Sequence, residues 1–320
     1  MSLLGKIESF TRKFLFWTPY YSRRPGIITS EPPEVYNSDG ERMHVFFWSD
    51  RECAHFPYGN TKNRYILWDR YNYALKTHFY SHIEAFNLVG KPDKKFAILL
   101  ESRGVASACY RKYLREKKYF ENEFDYVFTF DSDILNSLSN AKFMPFCAGL
   151  WVSPENCSEG KCKNISILSS DKNSAKLHRV RKSVAFKCKR EGLADTFGTF
   201  DGGQFVAPEV TLRDYRFSIV IENDITPYFF TEKITNCFAT QTIPVYLGAS
   251  RISEFFNPDG IITLSLNDVD NDNIERVLAQ CTPEEYERRL PAVLDNYERV
   301  KEFTNIYDYM WLKHLRELYQ

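Results

Sequence analysis

Two α/β domains in tandem, closed by helices at the C-terminus, are predicted for this 320-residue chain from three observations. Strand-length apolar runs alternate with longer mixed stretches, a polar segment splits the series in two, and a helical period takes over from Thr282. The length agrees, since a single hydrophobic core seldom grows this large.

The elements follow in order. Met43-His-Val-Phe-Phe-Trp48, Tyr65-Ile-Leu-Trp68, Phe96-Ala-Ile-Leu-Leu100 and Tyr126-Val-Phe-Thr-Phe130 are rich in β-branched and aromatic residues. Their unbroken apolar character fits strands covered on both faces, as in a parallel sheet. Residues 104–120, with Tyr110, Tyr113, Leu114 and Tyr119 among Lys and Arg, read as a covering helix. The polar run at 154–164, with its Pro and Gly, is the best boundary, giving domains 1–155 and 156–320. Beyond it Ile165-Ser-Ile-Leu168 reads as a strand, 174–189 as a basic helix and Arg216-Phe-Ser-Ile-Val-Ile-Glu222 as a strand. Residues 231–240 form a further helix, and Ile243-Pro-Val-Tyr-Leu247 and Ile261-Ile-Thr-Leu264 complete the strands. The C-terminal helical stretch is expected to break at Pro291. Two such domains leave a cleft between them, and the carboxyl ends of parallel strands are where small ligands bind.

Composition narrows the function. Lys+Arg and Asp+Glu are both 42, so the chain lacks the basic excess that drives nucleic-acid binding. Aromatics make up 16% of the residues; they build cores, and their faces also stack on sugar rings. Trp48, Trp68, Tyr71 and Tyr73 are candidates for either role. Eight scattered cysteines form no disulfide framework and suit a reducing, cytoplasmic compartment. The close pair Cys157 and Cys162 lacks the second pair or the histidines a zinc site needs, and the sequons at Asn156 and Asn164 carry little without a secretory signal. No apolar run is long enough to span a bilayer. Residues 3–21 mix Phe14-Leu-Phe-Trp17 with Lys6, Arg12 and Lys13. They read either as a basic amphipathic helix in peripheral contact with a membrane or as an ordinary docking segment.

The richest segment runs from Tyr215 to Gly248, a strand–loop–helix–strand. Glu222 and Asn223 end the first strand, where side chains emerge at the mouth of a sheet. Thr231 is a good N-cap, which puts Glu232 and Lys233 in the first turn of the helix. Lys233 there opposes the helix dipole but suits an anion such as phosphate, and Glu232 suits a pair of vicinal hydroxyls. A plain Glu–Lys surface pair fits the spacing equally well.

This segment resembles the donor-binding motif of the alpha-1,3-fucosyltransferase family. That motif is an apolar strand ending Phe-Glu-Asn, a loop, Thr-Glu-Lys, a helix and Pro-Val-x-x-Gly. Here it stands as Ile221-Glu222-Asn223, Thr231-Glu232-Lys233 and Pro244-Val245-Tyr246-Leu247-Gly248. Ile replaces Phe, and Pro227-Tyr-Phe-Phe fills a loop where the family usually has Asp or Gly followed by Tyr. The stretch Ser169-Ser170 followed by His178-Arg179-Val180-Arg181 is similar to the family's first donor-domain helix. There an arginine contacts the diphosphate; Arg179 is the first candidate and Arg181 the second. Phe96-Ala-Ile-Leu-Leu-Glu101-Ser102 resembles the family strand that ends in the catalytic base. Asp131-Ser-Asp133 matches the metal signature of another transferase class, yet it also resembles a family stretch that is no metal site, and it is read as a strand terminus and turn.

The resemblance implies two Rossmann-like domains facing across a cleft, the GT-B architecture, with residues 1–155 taking the acceptor glycan and 156–320 the donor. It further implies inverting transfer of L-fucose from GDP-fucose, with Glu101 as general base and Lys233 and Arg179 stabilising the leaving diphosphate. Glu222, Asn223, Thr231 and Glu232 complete the donor site, and no metal cofactor is required. Three rivals stand beside this reading: a GT-B transferase using a UDP-sugar, a metal-dependent transferase built on Asp131 and Asp133, and a glycan-binding protein without turnover.

Overall fold

The computed structural model describes residues 43–48, 63–69, 72–146, 149–156, 160–270 and 273–319. The N-terminal segment 3–21, Tyr71 and Cys157 lie outside the described residues.

Two parallel sheets carry the chain. The first holds β1 (Met43–Trp48), β2 (Ile66–Asp69), β3 (Thr77–Ser81), β4 (Lys94–Leu99), β5 (Tyr126–Thr129) and β6 (Ala141–Phe143), in the order β2-β1-β3-β4-β5-β6. Between β4 and β5 run α1 (Arg103–Arg115) and α2 (Lys117–Glu123); α3 (Ser132–Ser137) links β5 to β6. The helix expected over 104–120 is thus two, and Ala106 interrupts the first with a non-helical backbone.

The second sheet holds β7 (Lys163–Leu168), β8 (Asp195–Phe197), β9 (Tyr215–Ile221), β10 (Ile243–Leu247) and β11 (Ile262–Thr263), ordered β11-β10-β9-β7-β8. Its helices are α4 (Lys176–Glu191), α5 (Pro208–Leu212) and α6 (Glu232–Ala239). After β11 come α7 (Leu266–Asp270), α8 (Ile274–Leu278), α9 (Pro283–Val300) and α10 (Ile306–Met310). Pro291 does not break the chain as expected: it sits exposed inside α9, which runs on because packing of Tyr286, Ala292, Val293 and Asn296 holds both sides of it.

In chain order both sheets follow the doubly wound 2-1-3-4-5 pattern, and every pairing is parallel. Such a sheet reverses direction between its first and third strands, and ligands enter at the carboxyl ends there. For the second sheet that point lies between Leu168 on β7 and Ile221 on β9.

Three strands among the described residues were missed from the sequence: the short edge strands β6 and β8, and β3, Thr-His-Phe-Tyr-Ser, whose five residues are all buried at the centre of the first sheet. Its Thr, His and Ser break the apolar run, which hides it from a search for such runs. Thr77 Oγ1 lies 2.9 Å from the Tyr319 hydroxyl, and His78 Nδ1 lies 2.8 Å from that of Tyr80. Burial drives the His78 pKa down to about 4, so it sits there neutral.

The end of the chain returns to the first sheet. Tyr307 packs edge-on against Trp68 at 5.1 Å, the Arg64 backbone N–H donates to Asp308 Oδ1 at 2.7 Å, and His314 Nε2 lies 2.7 Å from the Phe143 carbonyl. Trp68 is therefore core, as is Trp48, whose indole N–H donates to buried Glu84 at 2.9 Å, and Tyr73 packs on the same cluster.

Candidate active site

A cleft of about 570 Å³ opens between the sheets, at the carboxyl ends of β7 and β9 and facing the end of β4. That volume lies in the range of small-molecule sites. Glu101, Asn223, Glu232 and Lys233 all line it, so four of the residues expected from the sequence meet in one place.

Glu101 follows β4 and precedes α1. Its carboxylate Oε1 accepts the Ser102 N–H at 2.7 Å, and its own N–H donates to His82 Nε2 at 3.2 Å. His82 is buried and holds a left-handed backbone, φ 47°, which a non-glycine residue adopts at a cost and which is often found at functional sites. The Gly104 N–H, one turn on, donates across to Asp224 Oδ2 at 3.0 Å, tying the first sheet's rim to the loop after Asn223.

On the far wall, Thr231 caps α6, and Lys233 stands in its first turn. Lys233 Nζ donates to Thr231 Oγ1 at 2.9 Å and to Glu232 Oε1 at 3.1 Å. Glu222 and Thr231 do not face the cleft, contrary to their expected contact with the donor. Glu222 is fully buried behind it, accepting the Thr231 N–H at 2.9 Å and the Thr231 hydroxyl at 2.8 Å. The pair staples the end of β9 to the start of α6 and so fixes Lys233. Burial raises the Glu222 pKa, and Lys233 at 3.6 Å opposes that shift. Gly248 supports the staple: a Cβ there would stand 2.6 Å from Glu222 Cγ and 2.3 Å from the Tyr246 hydroxyl. This gives the glycine of Pro-Val-x-x-Gly its physical reason. Gly198, at φ 99°, performs the same service where the loops after β7 and β8 meet, since a Cβ would lie 2.2 Å from the Ser169 carbonyl.

Arg179, the first choice for the diphosphate, points away. It is exposed, donates to the Asn173 carbonyl at 3.3 Å and does not line the cleft. The lining arginine is Arg181, 6% exposed, whose Nη1 donates to the Ile221 carbonyl at 2.7 Å. Its Nε is buried without a hydrogen-bond partner among the described residues. Burial lowers the guanidinium pKa, opposed by Glu222 and Glu232. The signal was present in the sequence: Leu177, Arg181, Val184, Ala185 and Cys188 recur at helical spacing, which puts position 181 on the inward stripe and 179 on the other face.

Asp131 and Asp133 do not stand open to a cation. Asp131 caps α3 by accepting from Asp133 N–H and Ile134 N–H, and Arg103 forks onto it at 2.6 and 2.7 Å while reaching Asp133 at 2.6 Å. The strand-terminus reading thus gains a helix cap and an ion pair. Among the described residues, no group of three or more His, Cys, Asp or Glu is placed to hold a metal. Sequence reasoning also passed over Phe205, 79% exposed at the cleft, and Trp151, whose backbone N–H donates to Asn236 on α6 at 2.9 Å.

Two doubly wound sheets about a cleft, with a carboxylate on one wall and buried or half-buried cations on the other, make up the GT-B architecture. Comparison with known proteins points the same way. Residues 159–274 match the model described as glycosyltransferase family 10 (fucosyltransferase), C-terminal. The fold is similar to that of a solved structure of an alpha1,3-fucosyltransferase with GDP, at 14% identity and TM-score 0.50, covering 93% of this chain and 99% of that one. A second, of an alpha1,3-fucosyltransferase with GDP-fucose, matches at 15% identity and TM-score 0.49, covering 92% of this chain and 99% of that one. No protein of curated function matches the chain in sequence. No helix among the described residues is long and apolar enough to cross a membrane.

Proposed function

We propose that the protein transfers L-fucose from GDP-fucose to a hydroxyl of an acceptor glycan, with inversion at the anomeric carbon. The observation that supports this is the placement of Glu101 opposite Asn223, Lys233 and Arg181 in one cleft. The family match over 159–274 supports the sugar, and the GDP held by the solved relative of like fold guides the choice of nucleotide.

The acceptor oxygen attacks the anomeric carbon as Glu101 takes its proton. The bond from that carbon to the diphosphate breaks, and its electron pair leaves on the phosphate oxygen. Lys233 and Arg181, not Arg179, stabilise that developing charge, preorganised by the Thr231–Glu222 staple and the Ile221 carbonyl. Asn223 and Glu232 hold the sugar or nucleoside. The two cations supply the charge that a metal supplies in other transferases, so transfer proceeds without one. In this reading residues 1–155, joined by the returning C-terminus, receive the acceptor, and the rest of 156–320 binds the donor. We place the enzyme in the cytoplasm, where the buried thiols of Cys188, Cys237 and Cys281 stay reduced.

Calorimetry with GDP, GDP-fucose, GDP-mannose and UDP, with and without chelator, tests this. GDP and GDP-fucose binding that survives chelator and is lost in Lys233→Ala is the expected result. Preference for UDP compounds overturns the fucose assignment. Dependence on manganese overturns the metal-free mechanism.

A further inference from the structure

His178 lies on the first turn of α4, 4% exposed, between the cleft and the loop after β7. The Ala175 backbone N–H donates to its Nδ1 at 3.1 Å, and the Ser174 hydroxyl sits 3.1 Å from the same atom. Its Nε2 lies 2.9 Å from Asn223 Oδ1. A backbone amide only donates, so Nδ1 is the acceptor and the ring proton resides on Nε2. Nε2–H therefore donates to Asn223 Oδ1. With its carbonyl oxygen so engaged, Asn223 has its amide N–H groups left for a ligand in the cleft.

We propose that His178 is a positioning residue that sets the hydrogen-bond polarity of the donor subsite, holding Asn223 as a donor toward an acceptor oxygen of the bound nucleotide. The proposal rests on the reading of this cleft as a nucleotide-sugar site. The same ring also fastens the start of α4, whose next turn carries Arg181, so one imidazole fixes two of the groups assigned to the donor.

Protonation undoes the arrangement. An imidazolium has no acceptor, and its Nδ1–H would point at the Ala175 N–H. Burial, then Arg181 on its own helix, Lys233 from α6 and Lys172 from the preceding loop, hold the His178 pKa below its usual value, while the bond to Asn223 opposes them. The working form is therefore the neutral ring, and acid pH loosens the site.

The test is GDP calorimetry on the full chain across pH 4–8, an interval that reaches further below the ordinary imidazole pKa of about 6.5 than above it because the His178 value is lowered. His178→Phe and Asn223→Ala are each expected to weaken GDP about tenfold, the scale of one hydrogen bond to a charged partner. If His178 acts through Asn223, the double variant stays near that same tenfold loss instead of reaching about a hundredfold. Wild-type affinity falls toward acid pH, and His178→Gln flattens that fall. Additive losses, or a wild-type acid limb kept in His178→Gln, overturn the proposal. Should His178→Phe fail to fold, the limb is compared between wild type and Asn223→Ala, and a limb unchanged there overturns it as well. If wild-type protein ignores GDP at every pH, the nucleotide reading fails first and takes this inference with it.

Discussion

The two sheets share one strand order but not one way of being built. The first is an aromatic core: Phe46, Phe47, Trp68, Phe79, Tyr80, Phe96, Tyr110, Tyr113, Phe120 and Phe128 are all essentially sealed. The second is mainly aliphatic on its α4 face, with Ile165, Ile167, Val184, Ile219, Ile221, Ile243 and Val245 around Phe217, while Phe230, Phe238 and Phe256 on its α6 side join the first sheet's cluster. Its specific features lie at its rim, where Glu222, Thr231, Lys233, His178 and Asn223 form hydrogen-bonded sets. Large rings fill space in many arrangements, so an aromatic core constrains sequence weakly. A strand end that must meet a helix start through a buried carboxylate tolerates few alternatives.

The sharpest test separates the two walls of the cleft. Glu101→Gln is expected to lower turnover by about 10²–10⁴, the usual worth of a general base, while leaving GDP affinity intact. Lys233→Ala should do the reverse first, weakening GDP by about 2–5 kcal/mol in calorimetry. Loss of GDP binding in Glu101→Gln would show that chemistry and donor binding are not divided between the sheets.

Stability probes the cores. Phe79→Ala, opening a hole at the centre of the aromatic core, should cost about 3–5 kcal/mol in denaturant unfolding. Ile219→Val in the aliphatic core should cost only about 0.5–1.5 kcal/mol. Equal costs would remove the contrast between the two cores.

The arginines come next. Arg181→Ala is expected to weaken GDP by about 1.5–3 kcal/mol, as for a lost charged hydrogen bond, whereas Arg179→Ala stays within about twofold of wild type. The opposite ranking in a binding titration would restore Arg179 as the phosphate ligand.

The smallest effect concerns Glu222. Its folded pKa is raised, so the folded state keeps its proton longer than the unfolded chain does. Its contribution to stability is full below the ordinary carboxylate range and is lost as pH rises through the raised folded value. The melting temperature of wild type relative to Glu222→Gln should therefore improve on acidification from pH 7 to pH 4, a step that reaches just below the usual glutamate pKa of about 4.3. A flat difference would mean that Lys233 fully compensates the buried charge.

Much of this was legible in the sequence. The longer strand runs and the Thr231-Glu232-Lys233 helix start are local patterns that need no knowledge of the fold. β3 was not legible, because Thr77, His78 and Ser81 interrupt its apolar run, and what buries them, such as Tyr319 against Thr77, lies far away in sequence. Pro291 misled, because local propensity yields to packing on both sides of it. Glu222 was chosen for the site but serves behind it, since a motif marks which residues matter without saying which touch the ligand. Arg181 could have been ranked above Arg179 by helical phase alone.

The returning C-terminus bears on how such enzymes diversify. Tyr307, Asp308 and His314 are stitched to Trp68, Arg64 and Phe143, so residues on both sides of the second sheet in sequence pack on the first. A recombination event with one crossover near residue 155 would strip the first sheet of its closing strap and graft on a foreign one. Exchange of the first sheet as a working module therefore demands two crossovers, the second between α9 and α10, and chimaeras built with only one should be recovered misfolded.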